Sequence, residues 1–163
     1  MDAWSKPNLP RYHCAMSRST VKTVIIDAPP AKVFAVLCDV ERWPEWTSTM
    51  TSVRRLDTGP FAVGSTAQVR QPKLRAALWQ VTELDQNRNF TWTTRSPGLR
   101  MKAGHLVEPH GTGCRVALSF EMSGLIAPLV ARLYGSLIDE YVVTESLGLK
   151  KRAEAAGAGK FNS

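Results

Sequence analysis

The sequence lacks most of the features that assign a protein at sight. Its 163 residues include only three cysteines. Cys14, Cys38 and Cys114 lie far apart and form no C-x-x-C pair. An odd, scattered set points to a reducing compartment with buried or inert thiols, not to a disulfide framework. No apolar run approaches the ~18 residues of a membrane span. The opening stretch MDAWSKPNLPRYHCAMSRS has no apolar core of the kind a secretory signal needs. A cytoplasmic protein is expected. There is no P-loop, no G-x-G-x-x-G, no H-E-x-x-H and no G-x-S-x-G nucleophile elbow. His13, His105 and His110 keep no zinc spacing with the cysteines. No cofactor and no metal site is predicted.

Acidic residues are also in short supply: 21 Lys and Arg face 14 Asp and Glu, for a net charge of +7. Such a balance suits an anionic partner, whether nucleic acid, an acidic membrane or an anionic ligand, or simply a basic, soluble surface. The cations are scattered. The densest clusters, Arg54-Arg55 and Lys150-Lys151-Arg152, lack the interleaved aromatics of a nucleic-acid module. Nucleic acid is therefore not an expected partner.

What the chain does have is apolar material, 44% of residues against 21% charged. That is the composition of one globular domain. Residues 1–18 hold two prolines and no period and read as a flexible arm, residues 19–156 as the domain, and residues 157–163 as a frayed tail. Met16 is an alternative start. Two of the five tryptophans fall in one short connection, DVERWPEW at residues 39–46. Indoles three apart on a helical turn share a face. They either plug a core or wall a pocket.

STVKTVIID alternates and predicts a first strand. In APPAKVFAVLC a proline suits the first helical turn, and Val33, Phe34 and Leu37 recur at helical spacing. RWPEW ends that helix or starts another. Six strand-like runs follow, joined by short turns, which favours an antiparallel meander. After Gly124 the period becomes helical. Ile126, Val130, Leu133, Tyr134, Leu137, Ile138 and Tyr141 form one apolar face, with Arg132, Asp139 and Ser146 opposite. This predicts one helix of roughly 28 residues, about 42 Å long. The fold class is α+β: a curved antiparallel sheet of about seven strands wrapped around a long C-terminal helix, with two short helices after the first strand. A gap is expected wherever sheet and helix do not touch.

IDAPPAKVFAVLCDVERWPEW, VGSTAQVRQP, WQVTELD, GTGCRVALSFEMSG and LGLKKRAE, taken with this layout, resemble the START-like helix-grip superfamily, and within it the polyketide cyclase/dehydrase branch. The resemblance covers residues 19–155. It implies a mainly apolar internal cavity and a hydrophobic, aromatic or polyketide-like ligand. It places Trp43 and Trp46 where the short helices cap that cavity.

Strand alternation supplies further candidates. In GLRMKAGHLVEP, Met101, Ala103, His105 and Val107 face inward and Arg100 and Lys102 outward. His105 is a candidate general acid or base, or else a core histidine bonded to a neighbour. In CRVALSFEM, Val116, Leu118, Phe120 and Met122 point in. Phe90, Trp92 and Thr94 share one face. In LRAALWQVTE the alternation conflicts: Arg75 outward puts Leu78 and Gln80 inward, yet Trp79 and Val81 look like core, and a bulge would reconcile them. On the helix, Glu145 lies about 40° from Tyr141 and is either an acid–base group or half of a structural ion pair.

Candidate catalytic residues are thus His105 and Glu145. Candidate ligand-binding residues are Trp43, Trp46, Gln68, Trp92, Met101, His105, Phe120, Tyr134, Leu137 and Tyr141. Either the domain only binds a hydrophobic molecule, or it catalyses its cyclisation or dehydration. For an aldol cyclisation, His105 or Glu145 would be the base and Tyr134 or Tyr141 would hold the enolate oxygen. A third class is a lipid carrier or interaction module whose basic LKKR helix end touches an acidic membrane.

Overall fold

The computed structural model describes residues 18–155. The N-terminal arm and the frayed tail expected from the sequence lie outside these residues, apart from Arg18, which opens the first strand. The elements are β1 (Arg18–Ile26), α1 (Pro30–Cys38), a 3-10 segment (Val40–Glu45), β2 (Ser52–Arg55), β3 (Thr66–Arg70), β4 (Ala77–Asp85), β5 (Asn89–Ser96), β6 (Leu99–His110), β7 (Gly113–Ser123) and α2 (Ala127–Ala155). The seven strands form one antiparallel sheet in the order β1-β7-β6-β5-β4-β3-β2. β2 to β7 run as a meander. β1, made first, closes the far edge against β7.

Local chemistry explains the breaks. Pro30 opens α1, where the first N–H groups have no helical partner to lose. Gly98, at φ 74°, supplies the left-handed turn between β5 and β6, and Gly111, at φ 57°, does so between β6 and β7. β6 and β7 alternate as their patterns predict: Val107, Val116, Leu118 and Met122 are buried, while Arg100, Arg115 and Glu121 face water. β4 has an irregularity between Val81 and Glu83, but it lies beyond Trp79 and is not what settles the conflict. Trp79 and Val81 point into the core and Leu78 and Gln80 point out. Arg75 precedes the strand, so its alternation never constrained Trp79.

α2 packs on β1, β7 and α1. Its buried stripe overlaps the predicted apolar face only at Ile138. It runs through Ala127, Gly135, Ile138, Val142, Ser146, Leu149 and Ala153. Leu133 is 66% exposed and Ser146 is 0% exposed. Gly135, Ser146 and Ala153 let the helix backbone approach its neighbours, while Ile138, Val142 and Leu149 fill the space between them. Burying the Ser146 hydroxyl is inexpensive because it donates to the Val143 carbonyl at 2.7 Å.

Trp43 anchors the layer between sheet and helices. It is fully buried, and its indole N–H donates to the Leu37 carbonyl at 3.0 Å. Its ring packs against Trp46, Trp92 and His105 at centroid distances of 5.5, 5.2 and 5.3 Å. The 3-10 segment needs this aromatic surface because it joins α1, on one side of the core, to the distant edge strand β2.

Candidate functional site

A pocket of about 660 Å³ lies between the sheet and α2. It occurs where α2, committed to β1 and β7, stands away from β3 to β6. Each wall follows from a periodicity. β6 contributes alternate residues, Leu99, Met101, Ala103 and His105. β5 contributes Trp92 and Thr94, and β7 contributes Phe120. α2 contributes one stripe at three- and four-residue spacing through Tyr134, Ile138, Val142 and Glu145. Trp79 packs on Trp92 at 5.4 Å and on Phe120 at 6.3 Å, with the ring planes inclined by 38° and 60°, so three aromatic rings make a continuous, angled wall.

The inner end holds the polar pair. His105 Nε2 lies 3.6 Å from Glu145 Oε1, with side chains 3% and 12% exposed. The imidazole stacks on Phe90 at 4.1 Å and meets Trp43 edge-on. Its Nδ1 is 3.3 Å from the Phe90 carbonyl. A carbonyl only accepts, so Nδ1 carries the hydrogen. Nε2 is then the ring atom that faces the Glu145 carboxyl. The 3.6 Å gap is wider than a hydrogen bond, which leaves both facing atoms able to engage a third group.

The open end is built differently. The loop between β3 and β4 supplies Gln71, Lys73, Leu74 and Arg75 to the lining. Lys73 adopts φ 62°, a left-handed conformation. The Tyr141 hydroxyl donates to the Pro72 carbonyl and ties this loop to α2. Burial and the neighbouring Glu140 charge push the Tyr141 phenol above its usual range.

The structure therefore brings together Trp43, Trp92, Met101, His105, Phe120, Tyr134, Tyr141 and Glu145 around one space. Three candidates fall elsewhere. Trp46 sits outside the pocket, lining a second recess with Arg42 and Arg152. Gln68 is on the sheet face opposite the buried Ala67 and Val69. Leu137 is half-buried on the flank of α2 and absent from the wall, because the contact stripe is rotated from the predicted one. Sequence reasoning missed the loop residues, which have no period to betray them. It also passed over Val142, whose i,i+4 relation to Ile138 and i−3 relation to Glu145 was the available signal. Among the described residues no group of three His, Cys, Asp or Glu side chains is arranged to hold a metal ion. No helix among them is long and apolar enough to cross a membrane.

Comparison with known proteins agrees with the geometry. A family model described as polyketide cyclase / dehydrase and lipid transport matches residues 17–154. No curated protein matches by sequence. Among solved structures, the Zhui aromatase/cyclase from Streptomyces sp. R1128 is similar with a TM-score of 0.75 at 14% identity, covering 91% of this chain and 100% of that one. A norcoclaurine synthase point mutant from Thalictrum flavum, in complex with a transition-state analogue, gives 0.69 at 12% identity over 87% and 97% of the two chains. A protein from Thermus thermophilus gives 0.69 at 20% identity over 85% and 99%. At such identities these likenesses speak for the helix-grip fold alone.

Proposed function

Since the chain belongs to the polyketide cyclase/dehydrase and lipid transport family, we propose that it binds a hydrophobic, aromatic or polyketide-like small molecule between sheet and α2 and rearranges it by proton transfer. One observation carries this reading: a space of about 660 Å³, walled by mutually packed aromatic rings, ends on the His105–Glu145 pair. An aromatic wall suits an apolar or aromatic ligand that can meet its ring faces and edges. The pair at the inner end supplies what a cyclisation or dehydration needs.

In the proposed reaction, the His105–Glu145 pair takes the proton beside a substrate carbonyl and returns a proton to a departing oxygen. The Phe90 carbonyl holds His105 Nδ1–H, so Nε2 is the working atom. Tyr134, at the pocket wall and half-exposed, is the donor for the enolate oxygen. Tyr141 is already engaged with Pro72 and serves to position the loop.

The test begins with native mass spectrometry of protein purified gently from its own host, to identify the bound molecule. That molecule is then offered to His105→Gln and Glu145→Gln. Loss of turnover by about 100-fold with binding kept within a few-fold supports proton transfer. Unchanged turnover removes the acid–base assignment. Binding without turnover in the parent protein makes the domain a carrier. The stacking of His105 on Phe90 is the observation that favours this second reading, since a core histidine would look the same.

A further inference from the structure

The pocket is chemically two-ended, and its outer end is cationic. Lys73 and Arg75 from the β3–β4 loop and Arg95 from the end of β5 line it, and all three are exposed. Glu145 is the single carboxylate in the lining, and it faces His105 at the buried end. Among the described residues, none of the three cations has a carboxylate within ion-pair distance. By contrast Arg18, Arg42, Arg55, Lys102 and Lys150 each have one.

The loop that carries two of these charges is held in place. The Tyr141 hydroxyl fastens Pro72 to α2, and the Leu74 N–H donates to the Gln71 carbonyl at 3.3 Å. Lys73 and Arg75 therefore occupy fixed ground at the mouth. A neutral apolar ligand gains nothing from three uncompensated cations beside its entrance. A ligand with a negative end does, provided its apolar body reaches the aromatic wall.

We propose that the natural ligand is a soluble amphiphilic acid, whose carboxylate, sulfonate-like or phosphate group sits on Lys73, Arg75 and Arg95 while its apolar body fills the pocket. The proposal rests on the reading that the pocket takes an apolar ligand, and it adds the charge and the orientation. The anion lies at the mouth, so the opposite end of the molecule meets His105 and Glu145. It also gives part of the +7 net charge a local task.

The matched probes are anilinonaphthalene sulfonate and N-phenylnaphthylamine, which share a ring system and differ by the sulfonate. Binding is followed by probe fluorescence and by quenching of the wall tryptophans. The sulfonate is expected to bind about tenfold more tightly, as three exposed ion contacts allow, and to lose that advantage in high salt. In the Lys73→Ala/Arg75→Ala/Arg95→Ala variant the sulfonate should fall to the affinity of the neutral probe, while the neutral probe binds as before. Equal affinities in the parent protein, or an advantage that survives the triple substitution, overturn the anion site and leave the apolar pocket standing. Failure of both probes to bind overturns both readings. Oleate, added as monomer, should displace the sulfonate. If instead only phosphatidylglycerol vesicles displace it, with the protein floating on them, the cations read a bilayer and the soluble-acid proposal fails.

Discussion

Trp43 shows how much of the molecule one side chain can hold. It is packed on all sides and its indole N–H is satisfied nearby in the chain, on Leu37 in the last turn of α1. Two costs can therefore be separated. Trp43→Ala should lose about 3–5 kcal/mol of stability, the usual figure for emptying a large aromatic site. Trp43→Phe keeps most of the volume but strands the Leu37 carbonyl, and should lose about 1–3 kcal/mol. Urea unfolding of both variants checks this. If the Phe variant matches the parent, the hydrogen bond carries little. Trp46, three residues on, sits at the second recess and should respond far more weakly. The two indoles look alike in sequence because spacing reports a shared face, whereas the packing partners of each are set by residues far away, Trp92 and His105 among them.

α2 shows where pattern and contact diverge. Hydrophobicity along the helix picks out a face that turns partly to the pocket, through Val130, Tyr134, Ile138 and Tyr141, while the buried stripe mixes small residues with Ile138, Val142 and Leu149. Two of its glycines then behave differently. A methyl at Gly148 would run into the backbone carbonyl of Trp46, which cannot swing away. A methyl at Gly135 would meet only the guanidinium of Arg18, the far end of a flexible chain. Alanine gains about 1 kcal/mol of helix propensity over glycine at either site. At Gly148 the clash should win, with a net loss of about 1–3 kcal/mol. At Gly135 the Arg18–Asp139 ion pair, partly exposed on both sides, offsets about 0–1 kcal/mol, so the net change should lie near zero or be slightly favourable. Thermal melts of Gly148→Ala and Gly135→Ala decide it, and equal effects would refute the backbone-contact account. The strands were more readable. Inward residues on β6 and β7 alternate without interruption, so His105 could be placed beside Met101 and Ala103 from spacing alone. Its partner Glu145 could be nominated from the wheel but not paired with it, since nothing local records how far α2 is rotated. The β3–β4 loop was silent, and with it the cations at the pocket mouth.

For the molecule as a whole, strong acid should loosen the β2–β3 edge. The Thr66 backbone N–H, the Arg55 guanidinium and the Ser65 hydroxyl all donate to Asp57 and hold its carboxyl at about 2, below its ordinary 3.8. The folded state therefore keeps this group ionised where the unfolded chain has already bound a proton. Its contribution is complete above pH ~4 and is lost as the pH falls toward ~2. Asp57→Asn should be less stable than the parent at neutral pH, and the difference should shrink as the pH drops through that window. Denaturant midpoints measured across it would show a constant difference if Asp57 made no such contribution.

The strand order also governs assembly in time. β1 is made first, yet both of its neighbours in the finished fold, β7 and α2, are made last; Arg18 pairs with Met122 and Ile26 with Cys114. During synthesis the backbone groups of residues 18–26 have no partner until about a hundred more residues have followed, roughly five to twenty seconds at ordinary ribosomal rates. The meander can form as it emerges. The first strand must wait, so its pairing with β7 is a late event in the assembly of the domain.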